Sequence, residues 1–309
     1  MQILIDGKDI SDFVTVGSCI HEDSVSGRSD ALSISFNDDT DSETNWRGWN
    51  LVKGTEIEVN SHQFRSGTMY VSRISVADGR FDVRAQAMRN QARDESTQSY
   101  ENVSFIELLQ EGAKAMNLTL ETYGLSDHTY ERVIRLKQNW LGFLNQRCSI
   151  EGAGIKIYDK KLVIFDEKSF ENKPAVKTIM AEDFACQPEF VTSDDVIREV
   201  HNRYRSVSLI DTSVQSGISY GKRIEVEMAC TSIGESIRFS KNLMRASNKN
   251  EYRAAGVVVG CELSSGVTVE LHGSAFGAFG GINFVDRVIT DMVHESQRIF
   301  MRKPIVGDY

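Results

Sequence analysis

The chain has 309 residues, 40% of them hydrophobic and 26% charged, with a formal net charge of −9 and a pI near 5.3. This length accommodates two or three domains with cores of their own, and the charged fraction is that of a globular chain, not a disordered one. The acidic balance argues against duplex nucleic acid or anionic lipid as main partner, no apolar run approaches a membrane span of roughly 18 residues, and Met1-Gln-Ile-Leu-Ile-Asp-Gly7 lacks the regions of a signal peptide.

Alternation dominates the first stretch. Leu32, Ile34 and Phe36 alternate with Ser33 and Ser35, and Phe81, Val83, Ala85 and Ala87 with Asp82, Arg84 and Gln86. A period of two buries one face of a strand and wets the other. Ala77-Asp78-Gly79-Arg80 reads as a tight hairpin turn, so residues 1–94 are predicted to form an all-β domain.

The pattern then changes. Ser104-Phe-Ile-Glu107 is a capping box and starts a helix with Phe105, Ile106, Leu108, Leu109, Ala113 and Met116 at helical spacing. A second helix begins near Asn139, carries Trp140, Leu141, Phe143, Leu144 and Cys148, and stops at Glu151-Gly-Ala-Gly154. Residues 155–165 read as a hairpin turning at Asp159-Lys160-Lys161, which makes 95–172 a small α+β module.

Strands resume after Pro174. Ile224, Val226 and Met228 alternate with Arg223, Glu225 and Glu227, and Val267, Val269 and Leu271 form a similar run after a hairpin turn at Ser264-Ser265-Gly266. A polar helix is predicted from Ser236 to Ala255, about 235–256 with its cap at Gly256. Residues 173–309 are therefore a second β domain with a helical insert. Its last strands, Phe284–Ile289 and Gln297–Met301, joined through Asp291–Ser296, are expected to be core strands, with Phe300 buried. Truncation before Asn283 is expected to abolish solubility, and loss of Gly307 to Tyr309 to be tolerated.

The chemistry-bearing motifs each lack a required part. Gly217-Ile-Ser219-Tyr-Gly221 matches a serine-hydrolase elbow, but the alternating Lys222–Ala229 that follows makes it a hairpin loop. His294-Glu295-Ser-Gln-Arg298 has Arg where a zinc protease needs its second His, and His21-Glu22 has no partner four residues on. His62, His128, His201 and His272 likewise form no ligand pair at helical spacing. Asp38–Glu43 is oxygen-rich without the register of a calcium loop.

Gly273–Gly281 lacks the lysine of a phosphate loop, so Phe276 and Phe279 are expected as exposed aromatics at a protein contact. Arg28, Arg47, Arg65, Arg73, Arg80, Arg84, Arg89 and Arg93 are interleaved with acids, as on a mixed interface surface. Cys19, Cys148, Cys186, Cys230 and Cys261, odd in number and scattered, are expected to be reduced and mostly buried. The expectation is thus no catalytic residue, no cofactor and no metal site.

Several blocks taken together resemble the hub proteins of contractile phage tails, the late control gene D family. They are Arg28–Phe36 with Trp46 and Trp49, Lys53–Val59, Ser66–Ile74, Phe81–Ala85, Ser104–Leu109, Trp140–Leu144, Glu151–Ile157 with Lys161–Ile164, and the ending from Phe284 to Tyr309. The resemblance implies a mainly β fold with α+β parts, in which two tail-tube-like barrels are joined by the α+β module.

It also implies a homotrimeric ring that adapts the sixfold tail tube to the threefold spike and leaves a central channel. The implied partners are further copies of the chain, the spike, the tube and other baseplate proteins, with the tape measure protein a further candidate in the channel. Specific nucleic-acid binding and membrane insertion are not expected, and the implied location is the tail baseplate of a virion or phage-like particle. Since the chain ends at Tyr309, spike and any cell-wall enzyme are expected to be separate chains. The channel wall is expected to be polar and net-negative or neutral, without a basic stripe. The competing readings are a phage-associated cell-wall hydrolase and a carbohydrate-binding β protein of the particle.

Overall fold

A computed structural model of the chain describes residues 1–37, 51–61, 64–77, 79–205 and 207–305. The first stretch holds β1 (Gln2–Ile5), β2 (Lys8–Asp9), β3 (Val16–Ser24), β4 (Ser26–Ser29), β5 (Ala31–Asn37), β6 (Glu56–Asn60), β7 (Met69–Ala77) and β8 (Arg80–Gln86). The middle holds β9 (Ser96–Ser104), α1 (Phe105–Ala115), β10 (Thr119–Tyr123), β11 (Thr129–Gln138), α2 (Trp140–Glu151), β12 (Ala153–Tyr158), β13 (Lys161–Asp166) and α3 (Glu167–Glu171). The rest runs β14 (Lys177–Ile179), β15 (Glu189–Thr192), β16 (Ile197–Arg205), β17 (Leu209–Gln215), β18 (Lys222–Val226), α4 (Ile233–Asn248), β19 (Tyr252–Val259), β20 (Thr268–Leu271), β21 (Gly281–Asp291) and β22 (Ser296–Arg302). The fold is mainly β with a few helices, as the alternation predicts.

Thirteen strands form one sheet. Its path is β15-β19-β22-β21-β3-β5-β8-β7-β6-β1-β2, with β20 beside β21 and β14 beside β20. The two ends of the chain therefore meet in it: β3 runs antiparallel to β21, with His21 opposite Thr290 and Glu22 opposite Ile289. Val258, Gln297, Thr290, His21, Leu32, Ala85 and Val71 are successive cross-strand partners, and all are buried. The neighbouring row is Val259, Ser296, Asp291, Ile20, Ser33, Arg84 and Arg73, and none of these is buried. A slip of one residue anywhere would exchange the two rows, so burial fixes the register across seven strands.

Under the buried face, Leu32, Phe36, Phe81 and Val83 share one core with Phe105, Leu108, Phe143, Leu144 and Ile157 of the middle stretch. A second core gathers Val258, Val285, Val288, Ile299 and Met301. The helix starts follow the sequence signals. Ser104 and Glu107 close the capping box of α1, Asn139 caps α2, and Gly152 ends α2 in the left-handed conformation at φ 71°. The β12–β13 turn forms at Asp159 and Lys160, and Asp159 Oδ1 accepts the Thr68 amide at 3.1 Å, docking the middle module onto the first stretch.

Four expectations need correction. Ser264-Ser265-Gly266 is no hairpin turn: β19 pairs β22 and β20 pairs β21, so the connection crosses over, held by the Ser265 amide donating to Asp23 Oδ2 at 2.9 Å. The helix predicted to reach Ala255 is α4 and ends at Asn248, with Lys249 as its cap. Gly256 lies in β19, where a Cβ would sit 2.4 Å from the Phe184 ring, so close packing and not helix termination explains this glycine. The loop between β17 and β18 is not a hairpin either, because those strands flank β16 in a separate three-stranded sheet packed on α4. Finally, Phe300 is on the exposed side, its ring between the guanidiniums of Arg287 and Arg298 at 3.9 and 5.2 Å. Phe284 is the fully buried ring of that hairpin.

Because β21 lies between β22 and β3, a chain cut before Asn283 bares the edges of β3 and β19 and removes Phe284, Val285, Val288, Ile299 and Met301 from the cores. The truncated protein is expected to aggregate on expression. Recovery of a soluble chain with an unchanged far-ultraviolet circular dichroism spectrum contradicts this assignment.

Candidate assembly surface

The face of the sheet opposite the buried row is largely polar. Cross-strand register places Arg73, Arg80, Arg84, Arg253, Arg287 and Arg298 on it, against Glu22, Asp82, Glu189 and Asp291. On the eight strands from β15 to β7 these arginines outnumber these acids, and the same register adds Glu56 and Glu58 on β6 and Asp9 on β2 to the face. Arg80 pairs with Asp82 at 2.7 Å and Arg287 with Glu22 at 3.3 Å. Arg73 and Arg84 are directly opposed partners on β7 and β8, and Arg84 shares the field of Asp82: against the burial that raises it, Arg80, Ser35 and Arg84 together hold this carboxyl below its ordinary value. With Ser18, Ser33, Ser35 and Ser75, Arg73 and Arg84 line a shallow groove of about 170 Å³, left open because short hydroxyl side chains alternate with long arginines.

At one end the sheet stops at β15. No described strand pairs with the outer edge of β15, and among the described residues the segment from Gly54 to Ile57 pairs with β7 from Met69 to Val71. Unpaired strand edges are templates for further pairing.

Two buried polar junctions hold the parts of the chain rigid. Asp23 on β3 accepts from Lys156 on β12 at 2.5 Å and from the amide and hydroxyl of Ser265. Beside it, Asp30 accepts the Ser24 amide at 3.2 Å, and its other oxygen has no partner. Burial, together with the Asp23 charge, pushes the Asp30 carboxyl well above its ordinary value. His21 stacks on Phe64 with ring centroids 4.6 Å apart, and neither of its nitrogens is bonded. Burial lowers its pKa to about 4, with Asp23 opposing and Lys156 adding to the shift.

The second junction centres on Arg302, fully buried, with Asp286 at 3.0 Å, Glu167 at 2.9 Å and Glu171 at 2.5 Å. Arg245 of α4 also binds Glu171, and Lys249 binds Glu167 at 2.8 Å. Burial raises the Glu167 carboxyl, but Lys249 and Arg302 outweigh it and leave it below the ordinary range. A further tie, from Arg238 to Glu151 at 2.8 and 3.1 Å, fastens α4 to α2.

The motifs singled out in the sequence are dispersed. Ser219 is exposed in a loop followed by strand β18, not by the helix an elbow requires. His294 bonds Asp291 at 2.8 Å in the β21–β22 turn, His201 bonds Asp211 at 2.6 Å, and His272 is exposed. Among the described residues no group of three or more His, Cys, Asp or Glu is arranged to hold a metal. Phe276 and Phe279 are not an exposed pair: Phe276 is buried against Phe184 and Phe190, and Phe279 packs on Phe190 and Tyr252. Cys19, Cys148 and Cys230 are buried, Cys186 is exposed, and burial pushes the Cys19 thiol up to about 12. The run Asp38–Glu43, with Arg47, Trp46, Trp49 and His62, lies outside the described residues.

No family model matches the sequence, and no curated protein is similar to it in sequence. Solved structures are similar in fold. The 43 kDa tail protein of prophage MuSo2 from Shewanella oneidensis matches with a TM-score of 0.74 at 13% identity, over 98% of each chain. A tail protein from Neisseria meningitidis matches with a TM-score of 0.76 at 11% identity, over 97% of this chain and 95% of that one. A component of the type VI secretion system of Escherichia coli, described as structurally similar to the T4 tail proteins gp27 and gp5, matches with a TM-score of 0.64 at 12% identity, over 100% of this chain and 79% of that one. The chain has the fold of these tail proteins. No described helix is long and apolar enough to cross a membrane.

His21 gives the first junction a pH signature. Its folded pKa of about 4 lies below the ordinary 6.5, so burial of the neutral ring stabilises fully above pH 6.5 and is lost as pH falls toward 4. Asp30, shifted upward, works in the opposite direction. Urea unfolding of the parent and of His21→Leu between pH 4 and 7 isolates the His21 contribution, expected to change by about 3 kcal/mol across the window. Parallel stability curves for the two proteins contradict the assignment.

Proposed function

We propose that the chain is a structural component of a contractile tail or phage-like injection particle, and specifically its baseplate hub. In this reading, residues 1–94 and 173–309 are two tube-like units joined by the module 95–172. Three copies close a ring between the sixfold tube and the threefold spike, around a channel. The partners are two further copies, the spike, the tube, other baseplate proteins and, in the channel, the tape measure protein. The role is architectural and not catalytic.

The observation that carries the reading is the single sheet joining both ends of the chain. Cores seal one face of its strands from β19 to β7, a row from Val259 to Arg73 on the other face is unburied, and no described strand pairs with the outer edge of β15. A closed ring built from such a unit presents a continuous wall and leaves no free edge, which is how closed β architectures remove the hazard of pairing with foreign strands. The likeness in fold to tail proteins, over nearly the whole of this chain, supports the same reading.

With that face turned inward, the channel wall carries the six arginines named above interspersed with acids that include Glu22, Asp82, Glu189 and Asp291. The rigid junctions around Asp23 and Arg302 suit a load-bearing part, since they leave the units little freedom to hinge.

Light scattering of the full chain, alone and with its spike partner, is the test. The expected mass is three times the 34.7 kDa chain, plus spike where present. A monomer in both conditions contradicts the hub assignment.

A further inference from the structure

We propose that Asp23, Asp30 and Lys156 form a proton-operated latch: a proton on Asp30 leaves Lys156 on Asp23 and the crossover at Ser265 closed, and loss of that proton draws Lys156 toward Asp30 and frees the crossover. The latch lies within one chain and does not depend on the ring reading.

The backbone brings the three groups together. Ser24, which follows Asp23 on β3, donates its amide to Asp30 Oδ1 at 3.2 Å. The Asp30 amide donates to the carbonyl of Ile157, which follows Lys156 on β12, at 3.2 Å, and the Asp30 carbonyl accepts the Ala87 amide at 2.9 Å. Asp30 is thus pinned between the chain neighbours of the Asp23–Lys156 pair, and it is fully buried.

Two carboxyls share one ammonium there. Both Asp23 oxygens are engaged, Oδ1 by Lys156 at 2.5 Å and by the Ser265 hydroxyl, Oδ2 by the Ser265 amide at 2.9 Å. Asp30 Oδ1 has the Ser24 amide, and Oδ2 has no hydrogen-bond partner. A buried carboxylate needs several donors or a cation of its own, and an unpaired hydroxyl costs far less than an unpaired charge. Asp30 is therefore the member that holds the proton.

The surrounding groups act in the same sense. On β3, Glu22 adds its charge to that of Asp23, and neither nitrogen of His21 is bonded. On β12, Tyr158 feels both aspartates, and Arg65 acts on its phenol from the other side. Burial first, then the Asp23 charge, raise the Asp30 carboxyl against Lys156 and the Ser24 amide.

Ionisation of Asp30 sets two buried carboxylates against one ammonium, and the flexible lysine stem lets that ammonium turn without a change in the backbone. Asp23 is then a buried charge held by Ser265 alone, and its hydration requires the crossover to lift. Leu263 and Ser264 of the crossover line a cavity of about 220 Å³ with Arg65 and Tyr158, which gives the segment space to move. The unfolded carboxyl ionises near 3.8 and the folded one well above it. The contribution of a neutral Asp30 is therefore complete below 3.8 and is lost as pH rises through the folded value.

Carbon-13 NMR of the full chain, labelled at the aspartate carboxyl carbons, tests the proton. One resonance is expected in the protonated position at neutral pH, and Asp30→Asn is expected to remove it. If every aspartate of the parent is ionised at neutral pH, the latch is overturned. Hydrogen exchange from about pH 5 to about pH 9 tests the release, with each rate referred to that of the Ile299 amide so that the intrinsic pH dependence cancels. His21, with its pKa of about 4, stays neutral throughout this window. Relative to Ile299, the Ser265 and Gly266 amides are expected to exchange roughly tenfold faster above the Asp30 titration than below it. In Asp30→Asn, which keeps an acceptor for the Ser24 amide, the ratio is expected to stay flat. A flat ratio in the parent, or the same rise in Asp30→Asn, overturns the latch. Should Asp30→Asn fail to fold, the parent decides: a step in the ratio at the pH where the raised aspartate titrates supports the latch, and a step elsewhere contradicts it.

Discussion

The antiparallel pairing of β3 with β21 is the interaction on which the rest of the structure depends. It joins residues 16–24 to residues 281–291 and merges what would be two separate sheets into one. The closure of so long a loop carries an entropic cost that grows only slowly with length. The return is a buried row running from Val258 to Val71 without interruption, and an exposed row alongside it. The polar face and the position of its arginines follow from that one register.

Polar burial then fixes how the other parts attach. Arg302 leaves β22 and meets three carboxylates, two of them on α3 and one on β21, while α4 brings Arg245 and Lys249 to the same pair on α3. Such clusters add little net stability over an apolar equivalent, but removing one member strands a buried charge at about 3–5 kcal/mol. Their effect is to admit one arrangement of the parts. The Asp23 site acts likewise at the other seam, tying β3, β12 and the crossover at Ser265, at the cost of a neighbouring Asp30 oxygen left without a partner and a histidine buried neutral.

Local structure was legible in the sequence where the signal itself is local. Ser104 with Glu107, Asn139 and Gly152 specify helix ends through bonds within four residues, and the alternation of Leu32 to Phe36 or Phe81 to Ala87 records a half-buried strand directly. Signals that depend on distant partners misled. Gly256 looks like a helix stop but serves the Phe184 ring, and Ser264-Ser265-Gly266 has turn composition but is held by Asp23, 242 residues away in sequence. Phe276 and Phe279 read as exposed because their glycine-rich setting has no period, yet Phe190 and Tyr252 cover them. Phe300 read as core because it is aromatic, although its parity in β22 puts it on the open face. The assembly surface was legible only as an arginine-rich composition, since no linear pattern tells that Arg73 and Arg84 face one another or that they share a face with Glu189.

The same register makes the chain one mechanical unit, and this is the claim that the proposed function needs most. Native-state hydrogen exchange tests it most directly, by comparing amide protection in β3 with that in β21 and β22. A single sheet requires that the amides of Ile20, Glu22, Ile289 and Ile299 exchange together, at the free energy of global unfolding. If β3 opens at much lower free energy while β21 and β22 stay protected, the two ends of the chain are separate units in contact, and the account of one continuous wall is wrong.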